Sequence, residues 1–186
     1  MQQNDYWIWE SILPKWFCEQ QISNLNWADR EEGKIDQGNG NYGLDTEKRR
    51  TEIIWLNETS PIGCIAQVYI NMANEKAGWN FNLSNSVKVQ IGKYNSVEQG
   101  FYDWHTDDGF KTKADGLVRK LSISMLLSDP KDFEGGLFEF KGFEKQPELK
   151  QGSIIVFPSF LEHRVTPVTK GERISAVTWV SGPAYR

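Results

Sequence analysis

A change of hydrophobic period after Trp79 is the feature that most restricts what this chain can become. Downstream of it, Val87, Val89 and Ile91 alternate with Lys88 and Gln90. Leu121, Ile123, Met125 and Leu127 alternate with Ser122, Ser124 and Leu126. A period of two is the mark of a strand with its two faces in different surroundings. The aromatic-rich stretch 100–106 and the runs 137–140, 153–157 and 174–180 continue the series. Asp129-Pro130, Gly135-Gly136, Gly152, Pro158 and Gly171 punctuate it. About eight short strands at this spacing predict a β-sandwich or jelly roll.

The half before Trp79 reads differently. Residues 14–27 predict a helix, with Pro14 at its first position and Phe17, Gln21 and Leu25 on one face. Residues 29–50 are polar and hold four glycines, which predicts a long exposed loop, either a lid or a connector. Thr51–Leu56 reads as a strand. Ser60-Pro61 reads as a helix start. Ile62, Ile65, Ala66, Tyr69, Met72 and Ala73 form the apolar face of that helix, and Gly78 stops it. The expectation is one α+β domain over residues 1–186, mainly β. A mixed N-terminal support (1–85) would pack on a β core (86–182).

Charge and cysteine content narrow the setting. A net charge of −4 argues against a dedicated nucleic-acid binder, which usually carries a basic face, and leaves room for local basic patches. The one short basic run, Lys48-Arg49-Arg50, reads as a solvated loop end. Cys18 and Cys64 are too few for a disulfide framework and read as small apolar packing residues in helices. No leader pattern and no bilayer-spanning apolar stretch is visible, so the expected setting is the reducing cytoplasm.

The chain has two histidines, His105 and His163. In Tyr102-Asp103-Trp104-His105-Thr106-Asp107 the imidazole and the carboxylate are two residues apart, so on a strand they project together. By the same parity Trp104 faces away, toward the core, and so does Tyr102 unless a bulge intervenes. A jelly roll can bring His163 across to complete a set of three. Two His and one carboxylate on one face of an octahedron suit a non-haem Fe(II) site with three positions left for a co-substrate and O2. Alone, His-x-Asp is weak; its bland counterpart is a strand histidine making an ordinary hydrogen bond. Arg173, ten residues after His163, opens an alternating strand (Arg173-Ile174-Ser175-Ala176-Val177) and would sit among core side chains. A buried guanidinium needs a partner, and a dicarboxylate supplies one in bidentate geometry.

His-x-Asp, a distant His and an Arg ten residues on resemble the Fe(II)/2-oxoglutarate dioxygenases. Residues 90–107, 119–130 and 133–137, the run Gly152-Ser153-Ile154-Ile155-Val156-Phe157-Pro158-Ser159 and the run His163–Val168 resemble the prolyl 4-hydroxylase-like branch. The likeness is strong over about residues 86–182 and loose before them. It implies a double-stranded β-helix with His105, Asp107 and His163 on iron. It implies Arg173 on the distal carboxylate of 2-oxoglutarate, with Tyr94 and Ser175 as further candidates for that group. For Tyr94 the alternative is an ordinary strand aromatic. Some prolyl hydroxylases carry a second co-substrate tyrosine near the position of Met125, which cannot donate that bond. The implied reaction hydroxylates a C–H bond with release of succinate and CO2, using Fe(II), 2-oxoglutarate and O2, with ascorbate as an accessory reductant. A protein or peptide substrate, foremost a prolyl residue, is expected, and the loop 29–50 is a candidate lid. Two rivals are a non-catalytic jelly-roll binding protein and a dioxygenase acting on a small molecule or nucleobase. Nucleobase relatives usually carry a second Arg at the position of Trp179. Oligomeric state is left open.

Overall fold

The computed structural model describes residues 4–37, 42–84, 88–108 and 116–184. Val87 and part of the polar segment 29–50 lie outside these. The described elements run, in chain order, β1 (Trp7–Trp9), α1 (Lys15–Ser23), β2 (Glu31–Glu32), β3 (Ile35–Asp36), β4 (Tyr42–Gly43), β5 (Arg49–Arg50), β6 (Glu52–Leu56) and α2 (Pro61–Lys76). There follow β7 (Val89–Asn95), β8 (Phe101–His105), β9 (Leu117–Leu126), β10 (Phe133–Gly135), β11 (Phe138–Phe140), β12 (Ile154–Pro158), β13 (His163–Val165) and β14 (Val168–Pro183).

The strands form a large antiparallel sheet in the order β1-β12-β9-β14-β7-β6-β2, with β10 attached to β14. A smaller sheet runs β11-β13-β8-β5, and β3 pairs β4 separately. One face of the large sheet carries Val89, Ile91, Leu121, Ile123, Met125, Ile154, Val156, Ile174 and Ala176, packed with Ile62, Ala66, Ile70 and Ala73 of α2 and Cys18 of α1. The other face meets the small sheet: Tyr94, Ile155 and Phe157 pack with Phe138, Phe140 and Val165. Two sheets closed on an interior, with helices backing one of them, form the expected double-stranded β-helix.

Period two explains why one strand serves both cores. On β9 the odd residues face the helices, while Ser122 and Ser124 face the interior. On β14, Arg173 lies opposite Tyr94, and Ser175 lies opposite Gly92 and Leu126. Opposite residues of an antiparallel pair share a face, so these groups all project inward.

Several expectations are corrected. The first helix is Lys15–Ser23; Pro14 precedes it in extended geometry, and Leu25 lies beyond its end. In α2 the buried stripe is Ile62, Ala66, Ile70 and Ala73, whereas Met72 is 37% exposed. Steps of four, four and three keep one helical face, and Met72 falls off it. Ser60 caps α2 through the Gly63 N–H, and Gly78 past its end takes φ 77°, a left-handed geometry that favours glycine. Cys64 is exposed, while Cys18 is buried and burial raises its thiol to about 11. The segment 29–50 is not one exposed loop, because β2 pairs β6 and β5 pairs β8. Arg49, expected in solvent, is 7% exposed. No helix among the described residues is long and apolar enough to cross a membrane.

Candidate metal centre

His105 and His163 sit directly opposite each other on β8 and β13. Two residues further along β13, Val165 pairs with Tyr102, so two steps on β13 meet three on β8. That β-bulge returns Tyr102 to the same face as His105. The two rings stack at 3.5 Å with 12° between planes. Trp104 points to the opposite face, as parity requires, but it does not enter the core. It is half-buried beneath the guanidinium of Arg164, 4.4 Å from its ring centre.

Asp107 lies two residues past the end of β8. Its backbone N–H donates to the Ser159 carbonyl at 2.8 Å, which turns the carboxylate inward. His105 Nε2 is 3.7 Å from Asp107 Oδ1, and His163 Nε2 is 3.4 Å from Asp107 Oδ2. One ligand atom from each of the three residues lies within 4.8 Å of the others, a spacing that can hold a single metal ion.

Each imidazole is oriented from behind. Nδ1 of His105 meets the Asp103 carbonyl at 2.7 Å, and Nδ1 of His163 meets the Leu161 carbonyl at 2.9 Å. A carbonyl only accepts, so each Nδ1 carries a proton and each Nε2 faces Asp107. Ser122 Oγ donates to Asp107 Oδ2 at 2.7 Å and lies 2.9 Å from Ser159 Oγ. Arg119 Nη1 donates to the Asp107 carbonyl at 3.2 Å.

Electrostatics sets the same ligand-ready state. Burial, assisted by the neighbouring His163, lowers His105 to about 3, so its ring is neutral at physiological pH. Burial alone would raise Asp107, but the two histidines, Arg119 and the Ser122 hydroxyl outweigh it and hold the carboxylate below its ordinary value. Neutral imidazole and ionised carboxylate are the forms that bind a metal, so no proton need be displaced from His105 or Asp107.

Arg173 is 1% exposed and projects into the same interior. Its Nη1 donates to Ser175 Oγ at 2.8 Å, and its guanidinium carbon lies 5.4 Å from the centre of the Tyr94 ring. It has no carboxylate partner among the described residues. Burial lowers its pKa, yet a guanidinium remains charged at neutral pH. Gly136, at φ 59°, makes room for it: a Cβ there would lie 2.8 Å from Arg173 Cδ. Met125 belongs to the helix-facing core, so it could not have reached Arg173 whatever its chemistry.

The superfamily profile described as 2OG-Fe(II) oxygenase matches residues 89–181, half of the chain. This chain belongs to the 2OG-Fe(II) oxygenase superfamily. Among curated relatives of this oxygenase, a PKHD-type hydroxylase of Shewanella baltica is 34% identical over 174 residues, 90% of this chain and 76% of that one. A PKHD-type hydroxylase of Idiomarina loihiensis is 37% identical over 105 residues, 53% of this chain but only 46% of the relative's length. In fold the oxygenase is similar to a viral collagen prolyl hydroxylase from Paramecium Bursaria Chlorella virus-1. The TM-score is 0.68 at 20% identity, covering 96% and 97% of the two chains. The superfamily uses Fe(II), 2-oxoglutarate and O2.

The donor set here fits that chemistry. Two imidazole nitrogens and one carboxylate oxygen match the hard-to-borderline preference of Fe(II), and three ligands leave an octahedral metal half open. The buried, carboxylate-free Arg173 fits a dicarboxylate. Sequence reasoning missed Ser122, Ser159 and Arg49. Ser122 carried a signal, as a small polar residue alternating with large apolar ones on a buried strand. Arg49 carried none, since basic runs are ordinarily solvated.

Proposed function

We propose that the chain is an Fe(II)- and 2-oxoglutarate-dependent hydroxylase with His105, Asp107 and His163 as its metal ligands. The observation that carries this reading is the convergence of three ligand atoms within 4.8 Å on the interior face that also holds the fully buried Arg173. Arg173 binds the distal carboxylate of 2-oxoglutarate, and Ser175 holds the guanidinium in place. Tyr94, which lies beside the guanidinium and is 5% exposed, shares that contact.

When bound, iron and 2-oxoglutarate supply the activation of O2 that inserts one oxygen atom into a substrate C–H bond and releases succinate and CO2. The chain supplies geometry and a dry pocket. Asp103 and Leu161 carbonyls fix the imidazole tautomers, Ser122 orients the Asp107 carboxylate, and the Phe138, Phe140 and Phe157 rings exclude water around His163.

The substrate in this reading is a protein or peptide, foremost a prolyl residue. Support comes from the fold shared with a collagen prolyl hydroxylase. The absence of a basic run free in solvent at 48–50 argues further against nucleic acid. Two unpaired cysteines fit a reducing cytoplasm, where Fe(II) persists and ascorbate is available as reductant.

The test is succinate formation from 2-oxoglutarate with Fe(II) and ascorbate, alone and with proline-containing peptides. A peptide gaining one oxygen atom at proline supports the reading. Succinate without any modified peptide keeps the enzyme and removes the substrate. Neither product, from folded protein loaded with iron, removes both and favours the binding-protein rival.

A further inference from the structure

We propose that Arg49 is a positioning residue for the metal ligand His105, acting through Tyr102. This rests on the reading of His105 as a ligand. Arg49 is a buried cation in an unusual setting. Its Nη2 donates to Gln90 Oε1 at 2.6 Å and its Nη1 to the Lys34 carbonyl at 3.2 Å. Its Nε is buried with no hydrogen-bond partner, and no carboxylate pairs with it among the described residues. Burying a cation without a counter-charge is costly, so something else must favour that placement.

The compensation is an aromatic face. Arg49 and Tyr102 are opposite residues of β5 and β8, and the guanidinium carbon lies 4.6 Å from the centre of the Tyr102 ring. The His105 imidazole, 3.5 Å away and nearly parallel, covers one face of that ring, so the guanidinium takes the other. The result is a three-layer stack of Arg49, Tyr102 and His105, tied at its outer end by Gln90.

The stack gives His105 a second restraint. One hydrogen bond from Nδ1 to Asp103 fixes the tautomer but leaves the ring free to rock about that bond. A flat neighbour pressed against the ring removes the rocking and keeps Nε2 aimed at the position shared with Asp107 and His163. Gly33 belongs to the same device. Its backbone passes directly over Arg49, and a Cβ there would lie 2.5 Å from Arg49 Nε. Any larger residue would displace the guanidinium from Tyr102.

The test uses Co(II), whose visible absorption reports ligand geometry without turnover. It compares the wild type with Arg49→Met, Arg49→Lys, Tyr102→Ala, Gly33→Ala and the Arg49→Met/Tyr102→Ala pair, each checked for fold by circular dichroism. Arg49→Met and Tyr102→Ala should each weaken Co(II) binding about tenfold, the size expected for loss of a group behind a ligand, and alter the spectrum. The double variant should be no worse than the weaker single one, because both remove the same stack. Arg49→Lys, which keeps the cation, should recover most of the affinity. Gly33→Ala should shift affinity in the same direction as Arg49→Met. Folded Arg49→Met with wild-type affinity and spectrum overturns the proposal. If Arg49→Met does not fold, wild-type Co(II) affinity in Tyr102→Ala overturns it instead. A wild type that binds neither Co(II) nor Fe(II) removes the ligand role of His105 and this inference with it. Normal binding in the wild type with no change in the variants removes this inference alone.

Discussion

At the scale of single residues, the proposed iron site depends on groups that aim its ligands as much as on the ligands themselves. Ser122 is the clearest case. Its hydroxyl donates to Asp107 Oδ2 and lies 2.9 Å from Ser159 Oγ, so it fixes the orientation of the Asp107 carboxylate. Ser122→Ala should weaken Fe(II) binding about tenfold while leaving the unfolding temperature close to wild type. An isothermal titration of both proteins checks this, and equal affinities would remove Ser122 from the site. The depressed pKa of His105 gives a second prediction, for the metal-free protein. The folded value near 3 lies below the ordinary 6.5, so the unfolded chain binds the proton more readily. Stability must therefore fall as pH drops from about 6.5 toward 3, by an amount on the order of a few kcal/mol. Urea unfolding across that range should show a shallower loss in His105→Asn than in wild type. Matching slopes would mean that the imidazole is not held neutral by its surroundings.

At the scale of elements, the turn between β10 and β11 and the seam between β5 and β8 decide what the strands can present. Gly136 gives up its side-chain volume to Arg173, so Gly136→Ala should raise the 2-oxoglutarate concentration needed for half-maximal succinate formation several-fold. Fe(II) affinity should change little. Loss of metal binding in that variant would show that the turn supports the ligands rather than the guanidinium. Much of this level was legible in the sequence. The alternation on β9 and β14 gave the two faces, and the two-residue spacing of His105 and Asp107 gave their common direction. The rest was hidden for identifiable reasons. Parity sent Tyr102 away from His105 because a bulge, which adds one residue on one strand, leaves no mark in hydrophobic pattern. The segment 29–50 read as solvent-exposed because its strands are two residues long, too short for any period to show. Arg49 is buried through pairing with a strand more than fifty residues downstream, a contact that local composition does not encode. Met125 was placed by likeness to a branch rather than by its own register, which turns it toward the helices.

At the scale of the whole molecule, the large sheet separates two cores with different tasks. The helix-facing core, built on Ile62, Ala66, Ile70 and Ala73, is apolar throughout and carries stability. The interior core mixes aromatic rings with Arg173, Ser122 and the three converging side chains His105, Asp107 and His163, and holds the proposed site. The division predicts separable effects. Ile70→Ala, at a position 1% exposed, should cost about 2–5 kcal/mol in urea unfolding with Fe(II) affinity unchanged at temperatures where the variant is folded. A parallel loss of metal binding would mean that the two cores are not independent. The proposal that His105, Asp107 and His163 hold one iron, with half its coordination sphere left for 2-oxoglutarate, is decided by anaerobic Fe(II) titration of the wild type and of His105→Ala, Asp107→Ala and His163→Ala, with and without 2-oxoglutarate. One Fe(II) per wild-type chain is expected, tighter when 2-oxoglutarate is present, with no stoichiometric binding in any of the three folded variants. Stoichiometric iron in even one of them, or iron binding indifferent to 2-oxoglutarate, would overturn the assignment.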